Sequence, residues 1–274
     1  MAMNSVNTNV NAMVALQALN RTNDALGVTQ KRISTGFRVA DARDDGAAFA
    51  VAQTVRADIA GLTSANEQLG GVKGILDTAL AGLTKVSETM IEVRSVLVKL
   101  ADGNLSADQR TQYEAQYVSL VDQITNFIDD ATYNNGNLLD DTITASIVTT
   151  RNENGDTYTI TGVTKADLIV AATPPADAAA AQAALAAGGN FRVVEAAIND
   201  ALNAFGAHNR YVDAQITYNK EKIDSLQGGI GALVDADLAR ESAQLQALQI
   251  RQQLGTQALS IANQSPQTLL SLFR

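Results

Sequence analysis

A single histidine, His208, is the only side chain in 274 residues whose ordinary pKa lies near neutrality. One histidine cannot form the two-His helix motif of a zinc protease. No cysteine is present, which removes disulfides, thiolate zinc sites and cysteine nucleophiles. Carboxylates occur as neighbours: Asp44 with Asp45, Asp129 with Asp130, Asp140 with Asp141. Adjacent helical residues do not face each other, so such pairs serve as caps and solvated turns rather than acid/base dyads. Asp44 and Asp45 are placed to favour the start of a following helix through its dipole. The stretch RNENGD (151–156) offers oxygen ligands, but Gly155 falls too early for a calcium loop. GGIG (228–231) matches a fragment of a dinucleotide fingerprint with no strand before it. These residues point away from an enzyme and imply no cofactor and no metal.

The elements carry more information than the titratable groups. Leu62, Leu69, Leu76, Leu83, Met90 and Leu97 fall at steps of seven, and Ala65, Val72, Ala79, Val86, Val93 and Leu100 fall three later. This a/d repeat keeps one apolar seam against a partner helix. A continuous helix over 46–101 would run roughly 80 Å at 1.5 Å per residue. Gly103 and Asn104 suit its end, and Ser106 with Gln109 reads as a capping box for the next helix. That helix carries Tyr113, Tyr117, Leu120, Ile124, Phe127 and Ala131, and NNGN (134–137) stops it. β-Branched runs around NENG (152–155) predict a hairpin. The Ala-rich segment that follows reads as a loop and a short helix. From Phe191 onward, Leu202, Ile216, Ile223 and Ile230 share one heptad column, and Phe205, Val212, Leu226 and Leu233 the other. The fold class is therefore mainly α, a long antiparallel coiled-coil rod with a small β-hairpin.

Both ends add apolar helical stripes. Val10, Met13, Leu16, Leu19, Leu26 and Ile33 form the first; Leu238, Leu245, Leu248, Leu254 and Leu259 form the second. Gly36 and the pair Gly228 and Gly229 separate them from the central region and are the expected linkers or hinges. The last residues, SIANQSPQTLLSLFR, concentrate Leu269, Leu270, Leu272 and Phe273 where chain ends usually fray. The net charge of −9 opposes nucleic-acid binding, which needs clustered Lys and Arg. No run of about 18 apolar residues predicts membrane insertion. MAMNSVNTNVNAM does not read as a secretory signal, so export would require another route.

RISTGFRVADARDDGAAFAVA (32–52) closely resembles the Arg-Leu-Ser-Ser-Gly and Asp-Asp-Ala-Ala pattern near the start of bacterial flagellins. NTNVNAMVALQALNRT (7–22) is similar to their N-terminus, ATYNNGNLLDD (131–141) to the segment before their variable region, and residues 233–274 to their C-terminus. The resemblance implies an inner filament-core domain from 1–45 plus 228–274. It implies a rod domain from 46–141 plus 191–227, and a short variable region over 142–190. Implied assembly residues are Val10, Met13, Leu19, Leu26, Ile33, Leu238, Leu245, Leu259, Leu269, Leu270, Leu272 and Phe273. In such proteins the terminal helices order together inside the filament. The implied partners are identical or closely related flagellin subunits, the flagellar export apparatus, a secretion chaperone, and the filament cap and hook-junction proteins. The implied destination is secreted, the extracellular flagellum. Thr142, Thr144, Ser146, Thr149 and Thr150 are possible O-glycosylation sites; strand propensity alone would also place threonines there. Two alternatives are a hook–filament junction protein and a non-exported coiled-coil oligomerisation module.

Overall fold

A computed structural model describes the backbone of residues 8–271 and the side chains up to Gln264. The elements run α1 (Val10–Thr35), α2 (Gly46–Leu100), α3 (Ala107–Asp129), β1 (Ser146–Thr150), β2 (Thr157–Thr161), a 3-10 turn (Lys165–Leu168), α4 (Ala178–Leu185), α5 (Asn190–Val234) and α6 (Leu238–Ser271). They pack as two compact units. The first holds the residues up to Ala57 and those from Ser225 on; the second is Asp58–Asp224. The division falls inside α2 and α5 rather than at 45/46 and 227/228.

The second unit is built on the α2 repeat. All twelve a/d positions from Leu62 to Leu100 are buried. The ten from Leu69 on are joined in one core by Tyr117, Leu120, Ile124 and Ile128 of α3 and by Phe191, Val194, Ile198, Phe205 and Val212 of α5. Burying a Leu or Val contributes roughly 1.5–3 kcal/mol before ordering costs, so this seam dominates the unit's stability. At Gly82 the α2 backbone comes close to its neighbours: a Cβ there would lie 2.9 Å from Ala131 Cβ. Ser106 accepts from Gln109 N while Gln109 accepts from Ser106 N, completing the expected capping box.

After α3, Asn134 and Asn135 adopt φ of +48° and +63° in a tight turn closed by paired Tyr133 and Gly136. Asn tolerates this left-handed region better than most residues. Residues 142–190 do not stand apart, because Ile160, Leu168, Val170 and Ala181 enter the same core. Strands β1 and β2 pair antiparallel with Ile147 opposite Ile160 and Thr149 opposite Tyr158. Their loop is clasped at its base, where Arg151 N donates to Asp156 O and Asp156 N donates to Asn152 Oδ1.

The first unit has a smaller core. Val39, Ala52 and Val234 are buried together, with Ala48, Phe49 and Ile230 against them. Gly36 caps α1 at φ +74°, a conformation that suits glycine. The two connections then pair: Arg38 N and Val39 N donate to Val234 O, and Ala236 N donates to Gly36 O. The chain reverses at Asp235–Asp237, after Gly228 and Gly229. Helix α5 continues through both glycines because Ile230 and Val234 are held in this core. Asp237 accepts from Ala239 N and Arg240 N and starts α6.

Candidate functional site

Helices α1 and α6 pack on each other in the first unit. Asn9 Nδ2 donates to Ala262 O at 2.7 Å, Gln252 Nε2 to Asn23 Oδ1 at 2.8 Å, and Arg32 Nη1 to Glu241 Oε1 at 3.1 Å. Rising numbers on one helix meet falling numbers on the other, so the pair is antiparallel. The covered positions include a run at a/d spacing: Ala12, Ala15, Leu19, Thr22, Leu26, Thr29 and Ile33 on α1, and Glu241, Leu245, Leu248, Gln252, Gly255, Leu259 and Ala262 on α6.

The seam is thinly apolar. Of its members only Thr29, Glu241 and Leu248 are buried; the rest are half-buried. Close approach at Gly255, where a Cβ would lie 3.2 Å from Leu19 Cδ1, compensates for small side chains. Arg32 Nε and Glu241 Oε2 are buried without a hydrogen-bond partner, so the ion pair is only half satisfied. Such a pair adds specificity more readily than stability. Beside it, Lys31 Nζ bonds Asp41 and Asp44 at 2.9 Å each and holds both carboxyls below the usual range. Asp45 Oδ1 accepts from Ala47 N and Ala48 N, capping α2 as the acidic pair predicts.

The predicted assembly residues divide into two sets. Leu19, Leu26, Ile33, Leu245 and Leu259 lie in the α1–α6 seam. Val10, Met13 and Leu238 do not; they face outward with Val14, Leu16, Ile250, Leu254 and Ile261. Val10, Met13, Val14, Ile250, Leu254 and Ile261 are 58–68% exposed. Val10, Met13, Val14 and Leu16 line an open groove of about 710 Å³, with Gln17 and Arg21 at its edge. Leu269 and Leu270 belong to α6, but their side chains, like Leu272 and Phe273 altogether, lie outside the described residues. A stripe of large apolar residues misses the polar seam members Thr22, Thr29, Glu241 and Gln252. The a/d spacing of small and polar residues was the available signal.

In the second unit His208 Nδ1 shares a 2.6 Å hydrogen bond with the Tyr158 hydroxyl, and Tyr158 stacks on Tyr211. Burial lowers the His208 pKa, as for a histidine packed on a helix. The Tyr117 hydroxyl donates to Ala171 O, and burial pushes its pKa up to about 12. Among the described residues no group of three or more His, Asp or Glu could hold a metal ion. Of the predicted glycosylation sites, Thr142 and Ser146 are exposed, and Thr144 and Thr150 are half-buried. Thr149 is corrected: it is 3% exposed because strand alternation turns it inward and Val148 outward.

The second unit thus closes a core, while α1 and α6 of the first leave large apolar side chains uncovered. Residues 6–144 match the bacterial flagellin N-terminal helical region, and residues 192–273 the bacterial flagellin C-terminal helical region. Flagellin FljM of Caulobacter vibrioides is 36% identical over 279 residues, with all of both chains covered. A flagellin of Brucella melitensis is 35% identical over 289 residues, covering 99% of this chain and 100% of its own. A putative flagellar hook-associated protein from Vibrio parahaemolyticus shares the fold at TM-score 0.57 and 15% identity, over 70% of this chain and 100% of its own. The chain belongs to the bacterial flagellins, a family of structural proteins, and is a short-form structural subunit of the flagellar filament.

Proposed function

We propose that the outward apolar faces of α1 and α6 are the surfaces through which identical or closely related flagellin subunits pack into the filament. The observation that carries this is the contrast between the units. The second unit buries all twelve of its α2 seam positions, whereas the first leaves six large aliphatic side chains of α1 and α6 more than half exposed. Covering the exposed part of those six would contribute roughly 5–11 kcal/mol before ordering costs, since about six tenths of the 1.5–3 kcal/mol for full burial of each is still to be gained. A helix pair with so little core of its own is marginal alone and gains from neighbours. Leu269, Leu270, Leu272 and Phe273 extend the same apolar character to the chain end.

The proposal includes the route as well as the lattice. The subunit passes the flagellar export apparatus unfolded, is held beforehand by a secretion chaperone, and folds beneath the filament cap. It meets the hook through hook-junction proteins and ends in the extracellular flagellum. Family membership supports this, and a chain without cysteine has no disulfide to delay threading. No helix among the described residues is long and apolar enough to cross a membrane. Gly36, Gly228 and Gly229 are proposed to let the inner helices adjust; no atom lies within 4 Å of a Cβ built at any of them. Thr142, Thr144, Ser146 and Thr150 are proposed as glycosylation acceptors, to be read from the intact mass of filament protein.

The test is Met13→Asp combined with Leu254→Asp. Both residues face outward, so monomer stability should change by no more than about 0.5 kcal/mol each. Seeded polymerisation should fail. Filaments of ordinary length from this variant would remove the outward faces from assembly.

A further inference from the structure

The chain contains two Asn-Gly pairs, Asn135–Gly136 and Asn154–Gly155. Both lie in turns of the second unit, and their surroundings differ in the features that govern one chemical reaction. In Asn-Gly the backbone nitrogen of glycine can attack the Asn side-chain carbonyl, because glycine has no Cβ to obstruct the approach. The attack needs an amide nitrogen that can shed its proton and move within bonding range of Cγ. A nitrogen held in a good hydrogen bond does neither.

At Gly136 that nitrogen is held. It donates to Tyr133 O at 2.9 Å while Tyr133 N donates back to Gly136 O at 2.9 Å. Gly136 is also half-buried against Ile75, whose Cδ1 would be 3.4 Å from an added Cβ. At Gly155 it is nearly free. Its N–H reaches Asn152 O only at 3.3 Å, and nothing lies within 4 Å of an added Cβ. Asn154 and Gly155 are both exposed at the loop tip. The loop is clasped below them, by Arg151 N to Asp156 O and by Asn152 with Asp156. Gly155 has φ +81° in this turn.

We propose that Asn154 is a site of spontaneous deamidation in the folded protein, and that Asn135 is protected by its turn. Gly155 N forms a bond to Asn154 Cγ, the Cγ–Nδ2 bond breaks, and ammonia leaves with the amide proton. Water then opens the cyclic imide at either carbonyl, giving aspartate or isoaspartate; no oxidant or other co-reactant is required. The product adds one negative charge to a chain of net charge −9, between Glu153 and Asp156. The isoaspartate form also adds a methylene to the backbone of the turn. Glu153 accepts from Lys222, and Arg151 O accepts from Asn219 and Gln215, so the altered turn sits directly on the contacts that fasten the hairpin to α5. The proposal is independent of any role of the chain in a filament.

The experiment is timed incubation of the purified full chain in mildly alkaline buffer, followed by peptide mass mapping. Each event raises the mass by about 1 Da. In native protein, Asn154 should lose its amide roughly tenfold or more faster than Asn135, the ratio expected when one nitrogen is mobile and the other locked. In denaturant the two rates should converge, since the turns that separate them are gone. Asn154→Gln should abolish the gain at the tip and leave Asn135 unchanged. Equal native rates at the two sites, faster loss at Asn135, or an unmodified Asn154 would each overturn the proposal.

Discussion

Leu19→Cys with Gly255→Cys should lock α1 to α6 with a single intrachain disulfide. A Cβ placed on Gly255 lies 3.8 Å from Leu19 Cβ. Bonded cysteines have Cβ atoms about 3.5–4.5 Å apart, so the separation suits a bridge. The chain has no other cysteine, so no competing pairing exists within one chain. In the chain-entropy picture, closing a loop of about 240 residues is worth roughly 5 kcal/mol. If the first unit melts while the second stays folded, only about 70 flexible residues are constrained, and the figure falls to roughly 4 kcal/mol. Comparing oxidised with reduced forms of the same variant cancels the cost of removing Leu19. The assay is non-reducing electrophoresis of the monomer together with unfolding with and without reductant. A faster-migrating monomer with its least stable transition raised by several kcal/mol is expected. Failure to cross-link, or cross-linking only between chains, would refute the pairing of α1 with α6 within one chain.

Other outcomes follow from the same packing. Leu83→Asp puts a charge into the fully buried α2 seam and should unfold the second unit, read as loss of helical circular dichroism. Gly71→Ala and Gly82→Ala both gain about 1 kcal/mol in helix propensity. Gly71 has open space, so it should show that gain. Gly82 meets Ala131 Cβ at 2.9 Å and Phe127 O at 3.3 Å, so overpacking of about 1–3 kcal/mol should cancel or reverse it in denaturant unfolding. His208 is depressed below its ordinary value of 6.5 by burial, and it faces Tyr158, which stacks in turn on Tyr211. The unfolded chain therefore takes the proton first, and stability should fall as pH drops from 6.5 toward the lower folded value, then level off. His208→Gln should remove that slope from unfolding measured between about pH 7.5 and about pH 5.

The parts legible in the sequence are those set by local chemistry. The α2 seam, the Ser106 capping box and the hairpin around 152–155 each follow from residues within a turn or a heptad of one another, and each is present as read. The α1–α6 seam was harder because Thr22, Thr29, Glu241 and Gln252 occupy core positions that an apolar stripe passes over. The same counting put outward-facing Val10 and Met13 in line with inward-facing Leu19. Gly228 and Gly229 have the composition of a break, yet tertiary contacts of Ile230 and Val234 with Val39 and Ala52 overrule it. Thr149 shows the reverse case. Strand alternation was visible, but its phase was set by Ile147 and Ile160 entering the core.

The central claim is that the first unit is completed by other copies of this chain. It is tested most directly by electron microscopy of seeded polymerisation, with monomer melting measured in parallel, for the full chain and for a chain lacking residues 264–274. The full chain should give long helical filaments. The truncated chain, without Leu269, Leu270, Leu272 and Phe273, should keep the melting of its second unit and form none. Ordinary filaments from the truncated chain, or small closed oligomers from the full one, would contradict the account.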